Sequence, residues 1–576
     1  MFFLSSYIPK LVSFCTLSFL LFLSPTVIQA QSESPARVVF SAFRNGQWDI
    51  YSVSSRGGDL RQLTDDPFED EHPAYSPDGQ SIAYASRRAQ NWDIYLLDLS
   101  TGLETRLTQD PHYDGAPAWS QDGQWLAFES FRAGDLDIWA VSLDTLSFIN
   151  YTSTSPTGDF DPAWDQLNNR ILFTSWREGD NDIWAIDIET QVVSPLTIST
   201  ASEHQPTRQG DTGPLVFTRN QLGDSDIYAL NSQLSNDDEQ LTWLGSLTNS
   251  EFSTDGLALF GLYHAYNGTR IIRLDKENPV PVILTENANL GEGLSWHSAP
   301  INSGVPVDSL MSNDFSRLYT EIVRPSTSGD GEPYDLIRLN DLSTASPWLA
   351  DTVDDSYQAL RFTLRDEIGY DFLGEVSETW RPISFFSETS QYSSWHKTGR
   401  AFDTLFDWSE QRLKIVRENI GGETYWRIML RCEDQTGRCG RPIKARPWDY
   451  SSHARVTLGP GQGGVEARHL SGYYVDFTTL TQLYGWIRIA SFDDEDFGWT
   501  WHFKAFEYWH FQKTLEGNNG IRNWYQALLD VYPAFKVEAL FSWDQMREAG
   551  EDTYLIAIKG VPLPNKAERW WQTLTP

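Results

Sequence analysis

A tripeptide, Asp-Ile-Tyr or Asp-Ile-Trp, returns five times in the first half of this chain, starting at Asp49, Asp93, Asp137, Asp182 and Asp226, with spacings of 44, 44, 45 and 44 residues. A period held over that length means one supersecondary unit copied in tandem, each copy burying the apolar face of its neighbour. Before each copy stands a short alternating apolar stretch, such as Val38-Val39-Phe40 or Ile82-Ala83-Tyr84. A Leu-Thr pair follows, clearest at Leu63-Thr64, Leu107-Thr108 and Leu196-Thr197. Alternation with period two predicts strands. The copies close on segments such as Pro73-Ala74-Tyr75-Ser76-Pro77-Asp78-Gly79, where Asp-Gly marks a tight turn. Four short strands in about 44 residues make one blade of a β-propeller. A sixth, degenerate unit fits 258–304, with Arg270 in place of the aspartate and Trp296 at the closing aromatic.

These segments resemble the propeller repeat of TolB-like proteins over roughly 37–304, which implies six blades and a platform for a protein or cell-wall ligand. An aspartate at a fixed place in every blade suits turn capping and backbone bonding better than catalysis. Propellers serve many functions, so the fold alone assigns none.

The chain has 576 residues, too many for one ordinary core, and its net charge of −35 disfavours nucleic acid as a partner. Its N-terminus has one charged side chain, Lys10, then an apolar run Leu11 to Leu23, broken by Pro25, with a small-residue cleavage position after Ala30 in Val27-Ile28-Gln29-Ala30. That pattern predicts an export signal over 1–30 and a periplasmic or extracellular destination, with an uncleaved membrane anchor as the alternative. Outside it only Cys432 and Cys439 remain, and an even pair in an exported chain predicts a disulfide. Two thiolates alone do not complete a zinc site.

After about 305 the pattern changes. Residues 305–340 read as linker, with the polar run Ser326 to Gly331. From 341 to 576 a mixed α+β domain is expected: a helix within 340–370 around Tyr357, Leu360, Phe362 and Leu364, strands at Tyr425–Leu430 and Tyr484–Ile489, and a helical tail over 515–548. Within it stand Ser394-Trp395-His396-Lys397-Thr398-Gly399-Arg400-Ala401-Phe402-Asp403 and Glu507-Tyr508-Trp509-His510. A catalytic zinc takes three protein ligands and keeps one position open for water, and His396, Asp403 and His510 can supply two imidazoles and a carboxylate. Glu507, three residues before His510, can take a proton from that water and pass it to a leaving amine.

The pattern Ser-x-His-x-x-Gly-x-Ala-x-Asp followed by Glu-x-Trp-His resembles the D-Ala-D-Ala metallopeptidases of the VanX and VanY type. The resemblance implies Zn2+ bound by His396, Asp403 and His510, with Glu507 as general base and acid, and peptidoglycan stem peptides as substrate. It also implies an upstream arginine at the reacting carbonyl, for which Arg381 in Trp380-Arg381-Pro382 fits by spacing, although the local sequence departs from the family's Gly-Tyr-Arg-Ser. Ser394 bonds either substrate or loop backbone. Asp403 and Glu507 are 104 residues apart, which implies an insertion over about 408–470, placed to wall or cover the cleft. His453, His469 and His502 lie in or near it and are expected to be bystanders or to support the ligands from behind rather than bind the metal. The fold class expected is therefore an all-β six-bladed propeller followed by an α+β zinc peptidase domain. The competing reading is a non-catalytic envelope protein that holds a partner on its propeller. Chemistry built into the blades is disfavoured by the lack of a Gly-x-Ser-x-Gly nucleophile motif.

Overall fold

The computed structural model describes residues 36–563, apart from 222, 235–236, 266–267, 300, 302, 311–315, 387–392, 406–411, 449–469, 494–497, 500–502 and 515–522. The predicted signal, His453, His469, His502 and the two ends of the predicted insertion, 408–411 and 449–469, lie outside the described residues.

Six antiparallel sheets form the blades. Blade 1 carries Arg37–Arg44, Gln47–Ser54 and Arg61–Gln62. Blade 2 runs from Asp70–Tyr75 to Glu104–Arg106, blade 3 from Asp114–Trp119 to Phe148–Asn150, and blade 4 from Asp159–Asp165 to Val193–Pro195. Blade 5 runs from Ser202–Arg208 to Glu239–Gln240, and blade 6 from Leu247–Phe252 to Asn278–Ile283. The strand Asn289–His297 then returns to blade 1, pairing Val38 with Trp296. Sharing one blade between the two ends of the repeat array closes the ring and removes a free edge. This shifts the blades by one strand from the sequence repeat: Pro73-Ala74-Tyr75, which ends a repeat, lies in the strand that opens blade 2. The last strand of the 258–304 unit belongs to blade 1, not blade 6. Val305–Pro306, read as linker, adds an outer strand to blade 1.

The repeat residues explain how each blade holds its shape. In blade 2 the Thr108 hydroxyl accepts the Ile94 N–H at 2.9 Å and donates to Asp93 at 3.3 Å. The same N–H to threonine bond recurs at Ile50–Thr64, Ile138–Thr152, Ile183–Thr197, Ile227–Thr242 and Ile271–Thr285. The aspartates thus satisfy buried donors at blade turns. In the sixth unit Arg270 donates to Asn287 instead. Each innermost strand also carries a bulge with a residue at positive φ: His72, Ala116, Asp161, Gln205, Asn249 and Gly293. A bulge re-aims its side chain. Two of these reach the next blade, Gln205 accepting the Asn249 N–H and Asn249 accepting the Gly293 N–H, both at 3.0 Å.

The remainder of the chain folds around a second core. The helix Asp354–Ile368 buries Tyr357, Leu360, Leu364 and Ile368, a stripe at helical spacing, and stops at Gly369. Phe362, expected on that stripe, is 43% exposed, because it sits on the opposite face. The strand expected at 484–489 is shorter, Ile487–Arg488, since Tyr484 ends the preceding helix Phe477–Leu483. Two four-stranded antiparallel sheets follow. One has the order Val376–Glu378, Ala401–Thr404, His510–Gln512, Ile487–Arg488, and the other Leu413–Ile420, Glu423–Arg431, Tyr473–Asp476, Arg441–Pro442. Four short helices, Trp524–Val531, Ala534–Leu540, Trp543–Glu548 and Thr553–Ile558, complete the described part.

The second sheet leans on the propeller. Cys432 and Cys439 are joined by a disulfide with Cα atoms 6.1 Å apart, and both pack with Trp92, Tyr113, Phe131 and Tyr473 in one apolar cluster. The Tyr473 hydroxyl accepts the Tyr113 N–H at 3.1 Å. Inside the disulfide loop Gly437 has φ +102, and a Cβ there would stand 2.5 Å from the Pro111 carbonyl oxygen, so only glycine fits the contact. Three cations then enter the bulged, acidic end of the propeller: Arg441 on Glu71, Lys444 on Glu129 (2.7 Å) and Asp161 (3.1 Å), and Arg446 on Asp180. The described part of the predicted insertion therefore docks on the blades. The propeller offers largely buried carboxylates there, and the insertion carries the matching cations.

Candidate metal centre

The motif around His396 is local backbone engineering. The Ser394 side chain accepts the His396 N–H at 3.3 Å and caps the single turn Trp395–Thr398. Gly399 ends that turn at φ +69, where a Cβ would approach the Ala350 nitrogen to 2.9 Å. The chain then enters the strand Ala401–Thr404, whose alternation sorts its side chains. Phe402 faces the core and stacks on Phe511 at 5.3 Å, while Asp403 faces the other way. Across the ladder Asp403 pairs with His510, and Gln512 follows on the same face.

Three predicted ligands meet here. His396 Nε2 lies 3.1 Å, and His510 Nδ1 2.8 Å, from the same oxygen, Asp403 Oδ1. One donor atom from each residue lies within 4.8 Å of the others, and all three side chains are buried. Each imidazole has its second nitrogen tied back, His396 Nδ1 to the Thr379 carbonyl oxygen at 3.2 Å and His510 Nε2 to Gln512 Oε1 at 3.3 Å. Those acceptors fix the tautomers so that a lone pair on each ring faces Asp403. Two lone pairs and a carboxylate converging on one point require a cation or protons between them. The donor set fits zinc: two imidazoles, one carboxylate, and fewer than four protein ligands. Burial alone would raise the Asp403 carboxyl, but the two histidines hold it well below the usual carboxylate range. Burial likewise disfavours a charged His396, and Asp403 more than offsets it.

Glu507 stands beside this cluster at φ +54, a conformation L-residues rarely adopt and which costs on the order of 1–3 kcal/mol. Its carbonyl accepts the His510 N–H at 3.1 Å, so the strained turn sets the carboxylate and the ligand together. The turn rests on an aromatic floor, Phe506 against Trp426 (4.9 Å) and Trp499 (5.8 Å). Burial pushes the Glu507 carboxyl up to about 7, with His510 and Arg381 opposing and Asp403 adding to the rise. Arg381 donates its backbone N–H to the His396 carbonyl at 3.2 Å, and Glu378 grips its guanidinium in a fork, one arm at 2.6 Å. Its charge reaches both Asp403 and Glu507. Sequence reasoning missed Glu378, Thr379 and Gln512. The Gln512 position was readable from strand alternation two residues after His510. A backbone carbonyl such as that of Thr379 leaves no side-chain signal.

A cluster of Asp66, Asp70 and Glu104 has similar donor spacing, but the Arg88 guanidinium bridges all three.

The blade architecture defines a propeller protein, and the rest of the described chain packs around a second core. Residues 116–303 match the family model described as the TolB beta propeller domain. Among solved structures the chain is similar to TolB from Acinetobacter baumannii, with 21% identity and a TM-score of 0.41, covering 46% of this chain and 67% of that one. It is also similar to a putative TolB from Agrobacterium tumefaciens, with 32% identity and a TM-score of 0.26, covering 28% of this chain and 62% of that one. A puromycin-hydrolyzing peptidase from Mycobacterium tuberculosis matches at 14% identity and a TM-score of 0.31, covering 46% and 48%. The chain thus spans about two thirds of the two TolB structures. No curated protein matches the chain.

Proposed function

We propose that this protein is an exported zinc-dependent peptidase that cleaves peptidoglycan stem peptides at or near D-alanine, as a D-alanyl-D-alanine carboxypeptidase or dipeptidase, with the propeller as its platform. The observation that carries the reading is the buried convergence of His396, Asp403 and His510, each imidazole tied back by its second nitrogen, with Glu507 alongside. The resemblance of both sequence motifs to the VanX and VanY type supports the substrate class. No described helix is long and apolar enough to cross a membrane.

His396 Nε2, His510 Nδ1 and an Asp403 oxygen would hold the ion. Bound there, zinc supplies Lewis acidity, lowering the pKa of water and polarising the peptide carbonyl. Glu507, with a carboxyl near neutrality, takes the proton of the attacking water and delivers it to the departing amine as the C–O bond forms and the C–N bond breaks. Arg381 supplies a fixed positive charge for the carbonyl oxygen or the substrate carboxylate, and Glu378 keeps it from swinging away. Mass spectrometry of peptidoglycan fragments incubated with zinc-loaded protein tests this. Loss of terminal D-alanine is expected, and fragments left unchanged would refute it.

A second reading is favoured by the TolB propeller match: an envelope protein that holds a partner without catalysis. Zinc bound with no turnover on any wall fragment would support that reading over ours.

A further inference from the structure

A second cleft opens away from the triad, with a volume of about 590 Å³, in the range of small-ligand sites. It lies where the helix Asp354–Ile368 meets the propeller-docked sheet, and Glu433 donates its N–H to the Ile368 carbonyl there at 2.8 Å. Tyr370, Arg412, Lys414, Arg431, Glu433 and Tyr474 line it.

Strand register explains how the cations come together. The Arg431 N–H bonds the Arg412 carbonyl at 2.8 Å, so the two arginines stand at facing positions of adjacent chain segments. Lys414 follows Arg412 by two residues, on the same side of the pleat. Like charges set opposite each other on a ladder are destabilising. Among the described lining residues Glu433 is the one carboxylate beside Arg412 and Arg431.

The guanidiniums are also held flat. Arg412 lies over the Tyr370 ring at 4.6 Å and Arg431 over Tyr474 at 5.9 Å. Among the described residues no carboxylate pairs with either of them. Tyr370 is itself anchored, its hydroxyl donating to the Arg431 carbonyl at 3.2 Å, and Cys432 closes the wall through the disulfide. Stacked, planar forks with unused donors are arranged to receive oxyanions two bonds at a time.

We propose that this cleft is a binding site for a small ligand carrying carboxylate or phosphate groups, gripped by Arg412 and Arg431. The ligand supplies the negative charge that the cross-strand arginine pair lacks. The site shares no residue with the metal centre, so it stands whether or not the chain is a peptidase.

Isothermal titration of the full chain at low ionic strength, with succinate in one arm and glycerol phosphate in the other, tests it. At least one probe should bind at a single site, weaken with added salt, and remain bound after chelator treatment. Arg412→Gln and Arg431→Gln should each weaken binding at least tenfold. The probe that binds more tightly identifies the source of the oxyanion. Arg412 is exposed, so its substitution leaves the fold intact and keeps the test valid if the Arg431 variant unfolds. Without ligand, Arg412→Gln should leave the melting midpoint unchanged or higher, because it relieves repulsion. Binding of neither probe at millimolar concentration, or equal binding by Arg412→Gln, would overturn the proposal.

Discussion

Replacing Lys444 by methionine keeps the length and apolar stem of the side chain and removes its charge. The ammonium stands 2.7 Å from Glu129 and 3.1 Å from Asp161. Glu129 is fully buried and Asp161 nearly so, with side-chain exposures of 0% and 14%. Removing one partner of a buried ion pair costs about 3–5 kcal/mol, because the other charge stays desolvated. Here the lower end applies, since Glu129 keeps hydrogen bonds from the Tyr113 hydroxyl (2.8 Å) and the Asp161 N–H (3.0 Å). A loss of about 3 kcal/mol is roughly a hundredfold in the docking equilibrium. Hydrogen exchange reads this directly. The Tyr113 amide, bonded to the Tyr473 hydroxyl across the interface, should lose protection by about that factor in Lys444→Met. The Val39 amide, deep in blade 1, should not change. Unchanged exchange at Tyr113 would mean that apolar contact around the disulfide, not charge, holds the two halves together.

The same interface carries a pH signature. Crowding by protein atoms would raise the Glu292 carboxyl, whose side chain keeps 48% of its surface exposed, yet His72 and Lys444 hold it well below the usual carboxylate range. A depressed folded pKa adds stability above the unfolded value of about 4.3, and that stability is lost as pH falls through the lower folded value. Proteolysis between the halves should therefore rise only in acid below about pH 4, and a rise beginning near neutrality would contradict this. At the metal centre, Gln512→Leu frees His510 Nε2 and should lower metal affinity about 10- to 100-fold in a chelator competition, with the fold intact. Arg381→Lys cannot reproduce the two-armed grip on Glu378 and should cut turnover while leaving metal affinity within a few-fold.

The propeller was readable because its signal is redundant. Five Asp-Ile-aromatic copies report the same threonine-pinned turn, so one degenerate copy at Arg270 does not hide the period. What the period could not give is the phase. The strand Asn289–His297 belongs to blade 1 only because the ring closes there, and closure is a property of the whole ring. Likewise, the three ligands were legible as residue types, whereas their convergence depends on a ladder pairing Asp403 with His510 across more than a hundred residues of chain. Ser394 left two roles open, and its oxygen accepts the His396 N–H, a backbone bond that spacing alone does not reveal. The insertion was visible as excess length. Its docking was not, because Arg441, Lys444 and Arg446 acquire meaning only opposite Glu71, Glu129, Asp161 and Asp180.

The most direct test of the metallopeptidase account pairs metal content with turnover in wild-type protein and Glu507→Gln. Elemental mass spectrometry should find one zinc per chain in both, since Glu507 is not among the three donors. D-Alanine release from a stem peptide should be seen with the wild type alone, and chelator should abolish it. Protein that binds no zinc, or that releases D-alanine equally well with glutamine at 507, would contradict the account.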